Sequence, residues 1–311
     1  MQQILALTQS LSWPAFTKNK GIVLAILSAA GFSAKAIFVK LGFRYGASAE
    51  ALLAMRMLIA MPFFLWMACI STNPSTLRKM ARRDVAMIVI LGLLGYYLTS
   101  LFDFIGLQYV SSGLERLTLF LYPTLVLAIS TLWLGKRYPK SVWYAVALAY
   151  AGAGLAVAHD LGDSTFGPTV FRGLAWVGGS MVTYALYIAG SGEVIKRVGA
   201  TPFAALATLV ACVAVLLHFA ITQPLTTLQM PWQGYAVCAA MALISTVFPV
   251  WALNQAIRNL GAGRAASIST FGPVVTIFLG WTVLGESISW MQVVGAMLVV
   301  TGVVIVCKSR K

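Results

Sequence analysis

The sequence predicts an all-α integral membrane protein with ten transmembrane helices in two inverted five-helix repeats. Three observations lead there. Of the 311 residues, 60% are hydrophobic and only 10% charged, against about 45–50% and about 25% in soluble domains. The apolar residues gather in ten stretches, each near the ~20 residues that a helix needs to cross a bilayer. The second half of the chain also repeats the first after a shift of 150 residues.

The stretches run over approximately 21–41, 49–70, 85–106, 111–134, 141–158, 172–191, 202–222, 234–255, 262–284 and 289–307. In order, the first carries Ser28, Gly31 and Lys35 at helical spacing, and the second carries Arg56. Gly92, Tyr96, Thr99 and Asp103 recur along the third; Glu115, Thr118 and Tyr122 along the fourth, next to Pro123. The fifth, with YAVALAYAGAGLAVA, is small and apolar, as is VVGAMLVVTGVVIV in the tenth. Ser180, Tyr184, Tyr187 and Ser191 mark the sixth, and His218 lies toward one end of the seventh. Ser245, Thr246, Asn254 and Gln255 mark the eighth; Ser269, Pro273 and Thr276 the ninth. Short connectors leave no room for a soluble domain. The organisation is a cytoplasmic tail over 1–20, a first repeat over 21–158 and a second over 172–307. MQQILALTQSLSWPAFT, at the start, lacks a basic leader and a small-residue cleavage site, so it reads as a weakly amphipathic tail.

The net charge of +14 does not point to nucleic acid, because no basic stripe carries interleaved aromatics on a polar face. With the amino terminus inside, Lys18, Lys20, RKMARR (78–83), KRYPK (136–140), Lys196, Arg197, Arg258, Arg264 and the final KSRK are cytoplasmic. External loops keep Lys40, Arg44 and Arg172, while Lys35, Arg56 and Arg116 fall within spans. Such a bias obeys the positive-inside rule and places both termini in the cytoplasm.

The repeat lays GLQYVSSGLERLTLFLYPTLVLAISTLWLG (106–135) on AIRNLGAGRAASISTFGPVVTIFLGWTVLG (256–285) without a gap. Gly113 meets Gly263, Pro123 meets Pro273, and Leu134-Gly135 meets Leu284-Gly285. Five spans per half is an odd number, so the second half must enter the bilayer upside down. Inverted repeats are a construction of secondary transporters, with the substrate site near midplane between the halves.

The segment GFSAKAIFVKLGFRYGASAEALLAMRMLIAMPFF (31–64) resembles the opening of EamA-type transporters of the drug/metabolite transporter superfamily. GLQYVSSGLERLTLFLYPT and LGESISWMQVVGAMLVVTGVVIV (284–306) are similar in the same way, and the resemblance covers nearly the whole chain. It implies ten helices in two EamA-like repeats around a central cavity. It also implies alternating access to small metabolites, usually for export, and a bacterial inner membrane location.

Candidate chemistry lies in five charges inside spans: Lys35, Arg56, Asp103, Glu115 and Arg116. Each costs about 2.5–3.5 kcal/mol on insertion scales unless it faces the protein interior. At about 1.5 Å per residue all five lie at a similar depth in the outer half. The second repeat has no counterpart: Leu253, Ala265 and Ala266 stand at the equivalent positions. Glu115 and Arg116 are sequence neighbours, which do not face each other on a helix, so each needs a partner on another span. One reading is an outer vestibule in which Lys35, Arg56 or Arg116 holds a substrate carboxylate. Glu115 or Asp103 then binds an amine or accepts a coupling proton. The other reading is a set of interhelical salt bridges that fixes helix positions.

Tyr96, Tyr122 and Tyr184 are expected to line the cavity, although polar residues of membrane bundles also serve interhelical bonding. Pro123 and Pro273, matched by the repeat, are candidate hinges because proline removes a backbone donor and bends a helix. Gly152, Gly154, Gly295 and Gly302 permit close packing by a neighbouring span or by a second copy in a homodimer. The four cysteines and two histidines show no ligand spacing, which argues against a metal site. No cofactor is expected and no Walker motif is present. The expected function is therefore secondary transport of a small amphipathic metabolite such as an amino acid. Alternatives are a non-transporting membrane sensor or adaptor and an integral membrane enzyme; the second lacks any visible nucleophile or His/Asp cluster.

Overall fold

A computed structural model describes residues 13–72, 80–134, 139–162, 167–260 and 271–308, without the side chains of 13–19, 130–134, 168, 254, 257, 258, 260 and 306–308. Most of the tail, much of the basic connectors, Arg264 and Ser269, and the side chains of Asn254, Arg258 and Cys307 lie outside the described residues. All longer regular structure described is helical.

The chain is inside-out relative to a soluble fold. Ile221 is 82% and Phe171 69% exposed, whereas Asp103 and Glu115 are fully buried. In water that distribution would be costly; in lipid it places apolar surface against apolar solvent. Seven described helical runs are long and apolar enough to cross a membrane, and Gly272–Leu284 and Trp290–Ile305 are shorter apolar helices. The sixth expected stretch stands apart. Its helix spans Val170–Val198, ample in length, but glycines, serines and tyrosines dilute its apolar character.

The first rod is α1 (Trp13–Ser33) and α2 (Lys35–Arg44), separated at Ala34. The Ala34 N–H still donates to the Ala30 carbonyl at 3.0 Å, so the rod is jointed rather than cut. α3 (Ala49–Ser71) begins under a Ser48 cap, whose hydroxyl accepts from the Ala51 N–H at 3.1 Å. α4 (Arg82–Gly92) passes through a π-helical turn, Leu93–Leu98, into α5 (Thr99–Gly106). The Thr99 hydroxyl donates back to the Leu94 carbonyl at 2.8 Å, satisfying a group that the widened turn disturbs.

α6 (Ser112–Leu119) and α7 (Tyr122–Leu134) form a broken fourth rod, with Phe120 and Leu121 between them. α8 (Lys140–Gly162) and α9 (Val170–Val198) follow. Gly199 alone joins α9 to α10 (Ala200–Thr222), at φ 95°, a conformation that suits only glycine. α11 (Trp232–Ala242) continues through a second π turn, Leu243–Val247, into α12 (Phe248–Leu260). α13 (Gly272–Leu279), a third π turn at Gly280–Leu284 and α14 (Trp290–Lys308) complete the order.

The most extensive pairings join the two halves, α8 with α14, α1 with α12, α3 with α10 and α5 with α9, and α6 meets α13 across the halves as well. Small residues bring the rods together. Ser28 donates to the Pro249 carbonyl at 2.8 Å, beside Gly31, which leaves room for the same proline. The α8–α14 contact is closer still: a Cβ on Gly152 or Gly295 would stand 2.5 Å from the other's carbonyl oxygen. The small faces of the fifth and tenth spans thus cover each other, while Gly154 has open space beside it.

Candidate functional site

Three rods bring one ammonium to two carboxylates. Lys35 opens α2, directly after the joint at Ala34. Its Nζ lies 2.6 Å from Asp103 Oδ2 on α5 and 3.5 Å from Glu115 Oε1 on α6. Both carboxylates are wholly buried, while the lysine side chain remains 18% exposed. Asp103 Oδ1 and both Glu115 oxygens have no hydrogen-bond partner. The two carboxyl groups lie within hydrogen-bond reach of each other, so one proton between them, or an incoming donor, would serve these atoms.

The two arginines flank this centre. Arg56, buried on α3, donates from Nη2 to Ser100 Oγ at 3.2 Å, and its guanidinium covers the Phe104 ring at 5.1 Å. Arg116 turns toward the second half, where Gly272 has no side chain to obstruct it; a Cβ there would be 3.0 Å from Nη2. Ser33 and Thr276 tie the same place together: Ser33 donates to the Gly272 carbonyl at 3.0 Å, and Thr276 to the Ser33 carbonyl at 3.2 Å. Arg56 Nε and Arg116 Nε are buried without partners, yet Arg56 is within electrostatic reach of Asp103, and Arg116 of both carboxylates. Of the five predicted charges, three meet directly and two stand beside them. Glu115 and Arg116 take separate directions, as their adjacency on a helix requires.

The three predicted tyrosines belong to one aromatic series, linked by a fourth. Tyr122 and Tyr184 meet edge-to-face at 4.8 Å, and Tyr184 stacks on Tyr187 at 5.9 Å. Tyr187 then donates to the Tyr96 hydroxyl at 3.2 Å and stacks on Phe203 at 6.0 Å. Phe203 lies in the first turn of α10, so the series leads away from the ionic centre toward the other end of the bundle. Tyr187 shared the polar stripe of the sixth span but was not singled out in the sequence. Its role depends on the close approach of Gly95, in the first π turn, to its ring.

Pro123 and Pro273 both stand in the first turn of a helix, α7 and α13. There the missing N–H has no intrahelical partner to lose. The interruption in the fourth rod precedes Pro123, at Phe120 and Leu121, rather than following from a mid-helix bend.

Two further carboxylates hold the start of α6. Asp160 accepts from the Ser111 N–H at 2.7 Å and its hydroxyl at 2.8 Å. Glu286 accepts from the Ser112 N–H at 3.1 Å and its hydroxyl at 2.6 Å, and lies 3.6 Å from Lys40 Nζ. Negative charge at a helix N-terminus is favourable, so these groups anchor the helix that presents Glu115. Gly285, at φ 70°, makes the turn that delivers Glu286. Arg44 also donates to the Leu284 carbonyl, and a cavity of about 240 Å³ opens among Lys40, Arg44, Gln108 and Glu286. At the opposite end, Arg197 donates to Asp84 Oδ1 at 2.6 and 2.9 Å. The Gly-Glu pair at 285–286 was visible in the sequence, but its partners were not. His218 packs its ring edge-to-face on Tyr97 at 5.7 Å. Among the described residues, no group of three His, Cys, Asp or Glu side chains could hold a metal ion.

An all-helical bundle with an apolar surface and a buried ionic centre built from first-half residues has the architecture of a multi-pass membrane protein. Residues 19–158 and 171–307 each match the EamA-like transporter family, and the chain belongs to that family. It is 28% identical over 291 residues to the uncharacterized transporter YcbK of Bacillus subtilis (strain 168), covering 91% of this chain and 92% of the relative. The uncharacterized transporter YyaM of the same organism is 24% identical and covers 73% of this chain and 74% of its own length. One solved crystal structure, 15% identical, matches with a TM-score of 0.63 over 94% of this chain and 99% of that one. That likeness is one of fold.

Proposed function

We propose that this membrane transporter is a secondary carrier that exports a small zwitterionic metabolite, an amino acid or similar amphipathic solute, by alternating access. One observation carries the substrate class. Buried polar atoms of both signs, Arg56 Nε and Arg116 Nε against Asp103 Oδ1 and both Glu115 oxygens, receive no hydrogen bond from another residue and lie within electrostatic reach of one another. A solute with an ammonium and a carboxylate would satisfy both kinds at once. The tyrosine series beside Arg116 offers ring surface to an apolar portion.

Ten spans in two inverted halves account for the pairing of rods. Exchanging the halves turns the α1–α12 pairing into the α9–α5 pairing and returns the α3–α10, α6–α13 and α8–α14 pairings to themselves, as a two-fold relation requires. The first two π turns are separated by the same shift that aligns the sequences. In this arrangement Lys40, Arg44 and Glu286 close the outer side, and Asp84–Arg197 spans the halves on the cytoplasmic side of the plasma membrane. Opening one side would require parting its cross-half contacts.

Purified protein in proteoliposomes, tested with a broad metabolite panel under a solute or proton gradient, decides the matter. Movement of amino acids or related zwitterions is expected. Absence of movement for every solute under either gradient would favour the sensor or adaptor role instead.

A further inference from the structure

The ionic centre contains its own amine. Lys35 Nζ touches both Asp103 and Glu115, and among the described residues no other cation lies within 4 Å of either carboxylate. Arg56, bonded to Ser100 and lying over Phe104, and Arg116, against Gly272, act on the pair only from farther off. Burial is unequal within the trio, since the carboxylates have no exposed surface whereas Lys35 retains some. Its flexible four-carbon stem starts at the Ala34 joint, so the ammonium can withdraw without moving α5 or α6. Asp103 and Glu115 meanwhile keep three oxygen atoms without hydrogen bonds.

We propose that Lys35 is a resident stand-in for the substrate's amine. It is the direct cationic partner of the Asp103–Glu115 pair when the site is empty and leaves the pair when a substrate ammonium arrives. This inference rests on the reading of the protein as a carrier of amine-bearing solutes, and it assigns Lys35 a role in the empty half of the cycle. Net transport requires the carrier to reorient without substrate. Enclosing two carboxylates with only the more distant Arg56 and Arg116 as counter-charges opposes that step, because buried charges need close compensation. With Lys35 seated, the empty carrier returns. Without it, only the loaded carrier reorients, because the substrate brings its own ammonium. Exchange of solute for solute uses loaded carriers alone, so removal of Lys35 should separate exchange from net flux.

The test uses the full chain in proteoliposomes loaded with a radiolabelled mixture of the protein amino acids. Efflux is measured into amino-acid-free buffer and, separately, into buffer with the unlabelled mixture. Lys35→Met should lower net efflux by about tenfold or more relative to exchange measured in the same variant, as expected when a buried pair loses its closest cation. Lys35→Arg, which retains the charge, should recover much of the net efflux. Equal loss of both modes in Lys35→Met, or loss of neither, overturns the inference while leaving the carrier reading intact. If the wild type moves no amino acid in either mode, both fall. Should Lys35→Met fail to fold, Lys35→Gln takes its place in the same two assays, with the same expected split between exchange and net efflux. Equal change of both modes in that variant overturns the inference.

Discussion

α4 and α5 are joined by a π turn at Leu93–Leu98, and α11 and α12 by another at Leu243–Val247. Ten positions into the first of these turns and its helix stands Asp103, buried against Lys35. The equivalent residue beyond the second turn is Leu253, packed with Leu24, Ala25 and Ala256. The two rods therefore share a backbone device and differ in chemistry. Both need the widened turn to bring their surfaces against rods of the opposite half. Only one needs a charge, and a charge within the bilayer is retained only where partners offset its desolvation. Duplicating a shape is inexpensive in free energy; duplicating an ionic centre is not.

That contrast can be broken from either side. Leu253→Asp would put an unpartnered carboxylate into the apolar counterpart, and should cost about 2.5–3.5 kcal/mol. Thermal unfolding in detergent should show the drop, and an unchanged midpoint would mean that the second half already holds a cation for it. In the first half, Glu115→Gln and Lys35→Ala should leave folded protein in the membrane but lower net transport roughly 10- to 100-fold. This is the scale of one lost charged contact, about 1.5–3 kcal/mol. Leu253→Ala should transport normally. Normal kinetics in both charge variants would reject a transport role for the centre.

A smaller effect separates the ionic centre from the glycine contact of α8 with α14. Gly295→Leu drives a side chain into the Gly152 carbonyl and should destabilise by about 1–3 kcal/mol, read by thermal unfolding, without changing which solutes are moved. Gly154→Ala, on the same helix but facing open space, should stay within about 0.5 kcal/mol of wild type. Similar shifts for both variants would mean that a second copy covers Gly154.

Much of this was legible before any coordinates. Counting residues from the ends of the apolar stretches placed Lys35, Asp103 and Glu115 at one depth, because a helix advances by a constant rise. Depth does not fix rotation about the helix axis or the identity of the neighbouring rod. Arg56 and Arg116 share that depth, yet one turns to Ser100 and Phe104 and the other to Gly272. Tyr187 remained one tyrosine in a stripe until Gly95 let its ring approach Tyr96. The prolines were legible as matched positions but not as first-turn residues, since the break at Phe120 and Leu121 has no glycine to announce it.

Composition and periodicity alone establish that this is a multi-pass membrane protein and where its helices lie along the chain. Those properties follow from composition and from the fixed geometry of a single helix. Only the tertiary structure decided which charges meet, which rods pair across the halves, and which carboxylates anchor α6. Each of those depends on atoms far apart in the chain, whose contact is set by side-chain packing between rods and not by any local pattern.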